Sequence, residues 1–299
     1  MKVKFTKKEF EDFFPSEDSC LQKIFELKYK NTNTCPKCDK PFKYHKLNNL
    51  KLYSCQFCGH NIAPTAKTIF HKSSTSLKDW FYAIYLFSVS KNGVSGKELE
   101  RQLGVTYKCA WRIAKQIRKL FNENINPLSN IVEIDETYYG GKEANKHQQK
   151  KTPNTQGRST KTKQPILGAV ERKGNIIAKV VNNTDSSTIQ PFIRNNIDIK
   201  ASINTDEHKP YNKLTKLGYN HSSIDHSKKQ YVSGDTHTNT IEGFWSQLKR
   251  SINGTYHFVS PKYLQTYVNE FAYRYNRRKD EQHIFFSILP KVAQTYQVV

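Results

Sequence analysis

The sequence predicts an α/β protein in which a mixed sheet flanked by helices follows two small N-terminal modules. Three observations lead to this class. Residues 31–65 hold two CxxC pairs among Lys, Asn and Pro, residues 76–121 have a helical apolar period, and period-two alternation begins after Asn126-Pro127. Strands with helices between and after them indicate a sheet covered by helices. We therefore divide the chain into residues 1–30, 31–65, 66–125 and 126–299.

The chain is strongly basic throughout. Its 48 Lys and Arg against 26 Asp and Glu give a formal charge of +22 over 299 residues. Such a field attracts phosphate backbones and releases their counterions, so we expect a nucleic-acid partner. A soluble basic protein of ribosomal or chaperone type is the alternative.

No targeting segment is evident in the sequence. An apolar run of about 18 residues, as a spanning helix requires, is absent, and no secretory signal pattern follows Met1. We expect a cytoplasmic protein without a membrane partner.

The first two segments form a small N-terminal region. Residues 1–30 predict a cap of two short helices separated by Pro15. Four cysteines follow as two CxxC pairs with sixteen residues between them: Cys35, Cys38, Cys55 and Cys58. Zinc prefers four thiolates in a tetrahedron, and each CxxC wraps around one side of the ion. We therefore expect one structural Zn²⁺, whose binding energy replaces the core that this polar stretch lacks.

Residues 66–125 predict three helices. Ser76, Ser95 and Thr106 are the N-cap candidates, and Gly104 is a natural stop for the second helix. The second and third have the length of a helix-turn-helix, whose second helix can enter a major groove. The DNA contacts predicted on it are Lys108, Arg112, Lys115, Arg118 and Lys119. The same packing also occurs in proteins that bind no DNA.

The remaining residues alternate between strands and helices. The segments predicted as strands are NIVEIDETYYG, QPILGAVERKG, NIIAKVVNNT, KASINTDE and, more weakly, SSIDHSKKQ; those predicted as helices are SSTIQPFIRNN, residues 238–252 and residues 261–278. Residues 140–164 form a lysine-rich insertion with almost no apolar side chain. Its charge suits a DNA backbone, and a plain solvated loop is the alternative.

Acidic side chains recur where strands run or end. Alternation places Glu133 and Asp135 on one face of their strand and Glu136 on the other, and Asp206 ends a later strand. Carboxylates at the ends of neighbouring strands can share a hard divalent cation. Each aspartate taken alone also fits a turn or N-cap position.

The stretch NTIEGFWSQLKR carries a third acid. Glu242 and Lys249 are seven residues apart, so they lie about 20° apart on one helix face. This spacing suits a metal-binding carboxylate and a cation that holds phosphate, and a solvated acid and base pair is the alternative. Asn239, one turn before Glu242, is either a neutral oxygen ligand or an N-cap. Arg250 adds a predicted DNA contact.

Four segments behind the CxxC-CxxC ribbon resemble one family of mobile-element proteins. VEIDETYYGGK, NTDEHKPY, HTNTIEGFWSQLKR and NEFAYRYNRR are similar to segments of bacterial insertion-sequence DDE transposases and the related eukaryotic Merlin elements. The resemblance implies a ribonuclease H-like catalytic core preceded by a zinc ribbon and a helix-turn-helix. It also implies that Asp135, Asp206 and Glu242 are the catalytic metal ligands and that Lys249 is the downstream lysine. Some relatives use Asn at the third position, so Asn239 stays a candidate.

The resemblance further implies a reaction and its partners. Two Mg²⁺ or Mn²⁺ ions would serve cleavage and strand transfer on double-stranded DNA, at terminal inverted repeats and at a target. A homo-oligomer on paired ends and a nucleoid-associated location in a bacterium are expected. A domesticated, non-catalytic DNA-binding regulator and a ribonuclease H-like nuclease without strand transfer are the alternatives.

Overall fold

The computed structural model describes residues 4–140, 147–153, 155, 159–224 and 237–295. The chain folds into two compact units. The first contains the residues up to Phe121 together with those from Asp280 onward, and the second is Asn122–Lys279.

The first unit begins with the two predicted short helices, α1 (Lys7–Phe13) and α2 (Glu17–Tyr29). Thr6 and Ser16 cap them, and each exchanges hydrogen bonds with the third residue of its helix. Three short strands follow as an antiparallel sheet in chain order: β1 (Tyr44–Lys46), β2 (Tyr53–Cys55) and β3 (Asn61–Ile62). This sheet carries the cysteine pairs.

Three further helices complete this stretch: α3 (Leu77–Val89), α4 (Gly96–Leu103) and α5 (Tyr107–Arg118). The predicted caps are confirmed, because the side chains of Ser76, Ser95 and Thr106 each accept from a backbone N–H of the first turn. Gly104 ends α4 with a φ of 63°, a left-handed conformation that favours glycine.

The second unit is built on a five-stranded mixed sheet of β4 (Ile131–Tyr139), β5 (Gln164–Glu171), β6 (Ile176–Val180), β7 (Ser202–Asp206) and β8 (Asn220–Ile224). Its order is β6-β5-β4-β7-β8. The pairs β4-β5 and β5-β6 are antiparallel, whereas β7 is parallel to both β4 and β8. An antiparallel meander followed by strands parallel to its first member is the arrangement of a ribonuclease H-like core, so the predicted fold class is confirmed.

Helices cover both faces of this sheet. On one face, α6 (Ser186–Asn196) packs with Val132 and Ile134 of β4. On the other, α7 (Asn239–Ser251) and α8 (Pro261–Asn276) pack with Ile166 and Val170 of β5. A π-helical turn, Ile252–Tyr256, follows α7. The two faces of the sheet therefore serve different cores.

The last helix, α9 (Ile284–Ile288), belongs to the first unit. The ring of Phe285 is fully buried, and its centroid lies 5.0 Å from that of Phe5 and 5.9 Å from that of Phe14. The predicted domain of residues 126–299 therefore ends at Lys279 in the structure, because aromatic packing joins the C-terminal segment to the N-terminal helices.

None of the helices in the described part of the chain combines the length and apolarity that crossing a membrane demands.

Candidate active site and zinc site

The two predicted aspartates lie side by side on neighbouring parallel strands. The last paired residues of β4 and β7 are Glu133 and Asn204. Two residues further along both strands, Asp135 stands level with Asp206 and on the same face, about one strand spacing away. The strand pairing thus brings together two carboxylates that are 71 positions apart in the chain.

Burial and surrounding charge both act on Asp135. Desolvation, reinforced by the negative charges of Glu136, Asp206 and Glu242, raises the pKa of Asp135 to about 7. A carboxyl group becomes this hard to ionise when its environment offers little water and several like charges. The other two predicted acids, Asp206 and Glu242, therefore both act electrostatically on Asp135.

The indole of Trp245 orients the first aspartate. Its Nε1 donates to Asp135 Oδ2 at 3.1 Å, and its ring lies over Gly168, the residue opposite Asp135 in β5. A Cβ at position 168 would lie 2.6 Å from that ring, closer than real Cβ contacts allow. Glycine at 168 therefore lets α7 approach β4 closely enough for this hydrogen bond. The sequence alone did not indicate this polar contact of Trp245.

A buried tyrosine supports the acid on the opposite face. Tyr211 Oη donates to Glu136 Oε2 at 3.0 Å, and both side chains are buried. Burial, together with the charges of Glu136, Asp135 and Asp206, raises the pKa of Tyr211 well above its usual value, so it stays a donor. The sequence indicated only that Glu136 lies on the opposite face of β4 from Asp135. It did not indicate that Tyr211 is the partner of Glu136.

The third acid is exposed on the first turn of α7. Thr238 Oγ1 donates to Glu242 Oε1 at 2.8 Å. Thr238 is also the N-cap residue, so Asn239 occupies the first helical position and the alternative that Asn239 caps the helix is wrong. Asn239 is exposed and stays available as a ligand candidate. Lys249 and Arg250 are exposed two turns further along.

These acids offer carboxylate oxygens, the donors that Mg²⁺ and Mn²⁺ prefer. A divalent cation would also offset the burial and the like charges that raise the pKa of Asp135. The residues present thus fit the catalytic ions that the resemblance implies.

The four ribbon cysteines form a second candidate metal site. Their sulfurs all lie within 4.8 Å of one another, with Cys35 Sγ 3.8 Å from Cys58 Sγ and Cys38 Sγ 3.9 Å from Cys55 Sγ. A tetrahedron with Zn–S bonds of about 2.3 Å has S···S edges of about 3.8 Å. The cluster therefore has the size of one Zn²⁺ site.

The backbone forms the same hydrogen bond at each of the two cysteine pairs. The amide of Asp39 donates to Cys35 O and that of Gly59 to Cys55 O, both at 3.0 Å, and both donors have positive φ. At the sulfurs, desolvation raises the pKa of Cys35, but hydrogen bonds from Tyr44 and two backbone amides outweigh it and lower that pKa to about 6. This favours the thiolate form that binds zinc.

The predicted DNA contacts on α5 do not share one environment. Lys108 is exposed, whereas Arg112 donates to His71 O at 2.9 Å and Lys115 Nζ lies 5.5 Å from the Trp111 ring centroid. Lys119 is half-buried, and desolvation followed by the charge of Lys115 lowers its pKa.

Arg118 requires a correction. It is 3% exposed, donates to Val94 O at 3.2 Å, and lies with its guanidinium 5.1 Å from the Phe87 ring centroid. Arg118 therefore belongs to the core of the helical region rather than to a DNA-facing surface. The prediction for Arg118 was wrong because its spacing along the helix does not show whether an arginine is buried or exposed.

The lysine-rich insertion, residues 140–164, lies partly outside the described residues. Positions 141–146, 154 and 156–158 of this insertion are not among the described residues. The predicted contact with a DNA backbone falls partly on them. Within the described part, Lys150 and Lys151 are exposed.

The second unit and the four-cysteine ribbon both match transposase family models, which define the class of protein. Residues 127–276, half of the chain, match the ISXO2-like transposase domain, and residues 15–61 match the transposase zinc-ribbon domain. The chain belongs to the ISXO2-like transposase family. The resemblance seen in the sequence is thereby confirmed.

Two individual proteins are also similar to this chain in sequence. The chain is 24% identical over 271 residues to an uncharacterized protein in transposable element ISH50 of Halobacterium salinarum, covering 87% of this chain and 91% of that protein. It is 25% identical over 122 residues to an uncharacterized transposase-like protein of Haemophilus influenzae, covering 41% of this chain and 96% of that protein.

One solved structure is a distant neighbour. A cryoEM structure of a simian T-cell lymphotropic virus intasome with PP2A regulatory subunit B56 gamma matches with 14% identity over 64% of each chain, at a TM-score of 0.29.

Proposed function

We propose that this protein is a DNA transposase that binds the terminal inverted repeats of an insertion sequence and catalyses metal-dependent cleavage and strand transfer. The observation that carries the proposal is the group of Asp135, Asp206 and Glu242, in which burial and neighbouring acids raise the pKa of Asp135 to about 7. A buried carboxyl group beside other acids favours a bound divalent cation.

The chain's own residues hold and orient the reacting groups. Asp135 and Asp206 would be the ligands that the sheet supplies, with Trp245 fixing Oδ2 of Asp135. Glu242 or Asn239 would complete the set from α7. Two divalent ions, when bound, activate water or a DNA 3′-hydroxyl and stabilise the leaving oxygen during in-line attack on a phosphodiester. Lys249, exposed two turns beyond Glu242, would hold a DNA phosphate.

Both steps are displacements at phosphorus. In cleavage, a water oxygen forms the new P–O bond while the bond to the 3′ oxygen of the element breaks. In strand transfer, that freed 3′-hydroxyl attacks a target phosphodiester, and the target's 3′ oxygen leaves. No enzyme nucleophile is needed for either step.

DNA binding is proposed for the zinc ribbon and for α4 with α5. The formal charge of +22 and the exposed Lys108 near the start of α5 support it. Pairing of two element ends by a homo-oligomer is part of the same proposal and would be measured by mass photometry with and without end DNA.

The first prediction concerns the two sheet aspartates. Asp135→Asn or Asp206→Asn should abolish Mg²⁺-dependent cleavage of DNA that contains the element end, because an amide cannot neutralise the ions, while DNA binding persists. Asp198→Asn, an exposed turn residue of the same unit, is the control and should keep activity. Cleavage that survives in either site variant would contradict the assignment.

The products separate the alternatives. A labelled end incubated with a target plasmid should give joined product in addition to cut ends. Cutting without joining would indicate a nuclease, and DNA binding without either product would indicate a regulator.

A further inference from the structure

A buried acid outside the predicted ligand set contacts the N-terminus of α7. Glu133 is 0% exposed and lies two residues before Asp135, on the same face of β4. Its Oε2 accepts from the backbone amides of Thr240 at 2.8 Å and Ile241 at 3.2 Å, and its Oε1 accepts from Thr240 Oγ1 at 2.9 Å.

These amides are the ones that a helix cannot satisfy from within. The first four N–H groups of a helix lack intrahelical partners, and an N-cap side chain normally accepts from the second or third of them. Thr238, the N-cap residue here, makes no such bond, and its hydroxyl instead donates to Glu242. Glu133 thus caps α7 from the sheet, and its negative charge suits the positive end of the helix dipole.

A basic residue links this cap to the segment that leads into α7. Arg172 Nε donates to Glu133 Oε1 at 2.7 Å, and its Nη2 donates to His237 O at 3.1 Å. The guanidinium supplies the positive charge that a fully buried carboxylate needs, since an uncompensated one is strongly unfavourable.

Glu133 and Trp245 together fix α7 along β4. The carboxylate holds residues 240 and 241, and the indole of Trp245 reaches Asp135. The helix rises about 6 to 7.5 Å over the four or five residues between these contacts. The strand rises about 6.6 Å between its residues 133 and 135. Because the two spacings match, α7 has one register against β4.

We propose that Glu133 is a positioning residue that sets the register of α7 and thereby holds Glu242 and Asn239 toward Asp135. This inference rests on the proposed function only for its effect on activity. Its structural content, that Glu133 holds the first turn of α7, does not depend on what reaction the site performs.

The test compares Glu133→Gln with Glu270→Gln. Glu270 is a matched control in the same unit, because it is also 0% exposed and also pairs with an arginine, Arg274, at 2.8 Å. Both variants remove one buried negative charge beside a guanidinium. Only Glu133→Gln removes the charge that faces the α7 amides.

Two measurements should distinguish the pair. Amide hydrogen exchange should accelerate in the peptide covering 238–245 for Glu133→Gln, whereas Glu270→Gln should leave that peptide unchanged. The kcat for metal-dependent cleavage at saturating DNA should fall about 10- to 100-fold in Glu133→Gln with KM for DNA unchanged, the range seen when a group that orients metal ligands is lost. Glu270→Gln should keep the kcat.

Unchanged exchange in α7 of Glu133→Gln would overturn the proposal, and so would an equal loss of kcat in Glu270→Gln. An inactive wild-type protein would instead refute the proposed function and leave the exchange result to decide the role of Glu133. If Glu133→Gln does not fold, Thr240→Val serves in its place. It removes one donor to Glu133 and should accelerate exchange in the same peptide to a smaller extent.

Discussion

Glu133 and Asp135 are neighbours on one face of β4, yet their surroundings differ. Glu133 accepts from an arginine, a hydroxyl and two helix amides. Asp135 accepts from Trp245, while desolvation and three nearby acids raise its pKa to about 7. A carboxylate with its charge already compensated has no need of a cation, whereas Asp135 gains from one. This difference separates the structural acid, Glu133, from the acid that we propose as a metal ligand, Asp135.

The third ligand can be assigned by separate substitutions. We expect Glu242→Gln to reduce Mg²⁺-dependent cleavage at least about 100-fold if its carboxylate binds an ion directly, since an amide oxygen is a far weaker ligand for a hard cation. Asn239→Ala should then have a smaller effect. Mn²⁺ titration calorimetry of both variants would report the loss of ligand independently of turnover. The reverse order of effects would assign the role to Asn239.

At the scale of elements, α7 and the zinc ribbon are held in different ways. The helix is fixed by contacts with β4 and by the apolar core that it shares with α8. The ribbon strands are only two or three residues long, so their pairing alone is marginal. The ribbon therefore depends on its four cysteines, whereas the sheet does not.

Removal of zinc should unfold the ribbon selectively. We expect a strong chelator, or Cys58→Ser, to expose residues 31–65 to proteolysis, because structural zinc contributes roughly 10 kcal/mol or more in small zinc domains. Peptides of β4 and β5 should keep their hydrogen-exchange protection. Cys109→Ser is the control, because Cys109 lies outside the cluster. Metal analysis should find one zinc per chain in this variant. A ribbon that stays protected after metal loss would contradict this dependence.

At the scale of the whole molecule, the chain returns to its first unit after completing the second. Residues 280–295 belong to the unit of the N-terminal helices, where Phe285 contacts Phe5, Phe10 and Phe14. The C-terminal segment thus contributes to the stability of a unit whose other residues lie at the opposite end of the sequence.

A chain shortened after Lys279 should reveal this arrangement. We expect the free energy of opening of α1 and α3 to fall by at least about 3 kcal/mol, the cost of deleting one buried phenylalanine. Hydrogen exchange would measure it, and the peptides of β4 and β5 provide the internal reference because they belong to the other unit. Equal destabilisation of both sets of peptides would contradict the division into units.

The sequence by itself determined the elements that depend on local chemistry. Capping residues located α3, α4 and α5, the CxxC pairs located the metal cluster, and alternation along β4 separated the face of Asp135 from that of Glu136. The resemblance named Asp135, Asp206 and Glu242 because their motifs are local stretches of sequence.

Only the tertiary structure decided which of these residues meet, since contacts between distant segments leave no local pattern. Glu133 was visible as an acid on the right face, but its partners lie 39 and 107 residues away. Glycine is needed at position 168 because the ring of Trp245 packs there. Arg118 is buried, although its helix position suggested a DNA contact. The C-terminal segment likewise joined the first unit because buried aromatic area, rather than proximity in the chain, determines where a segment packs.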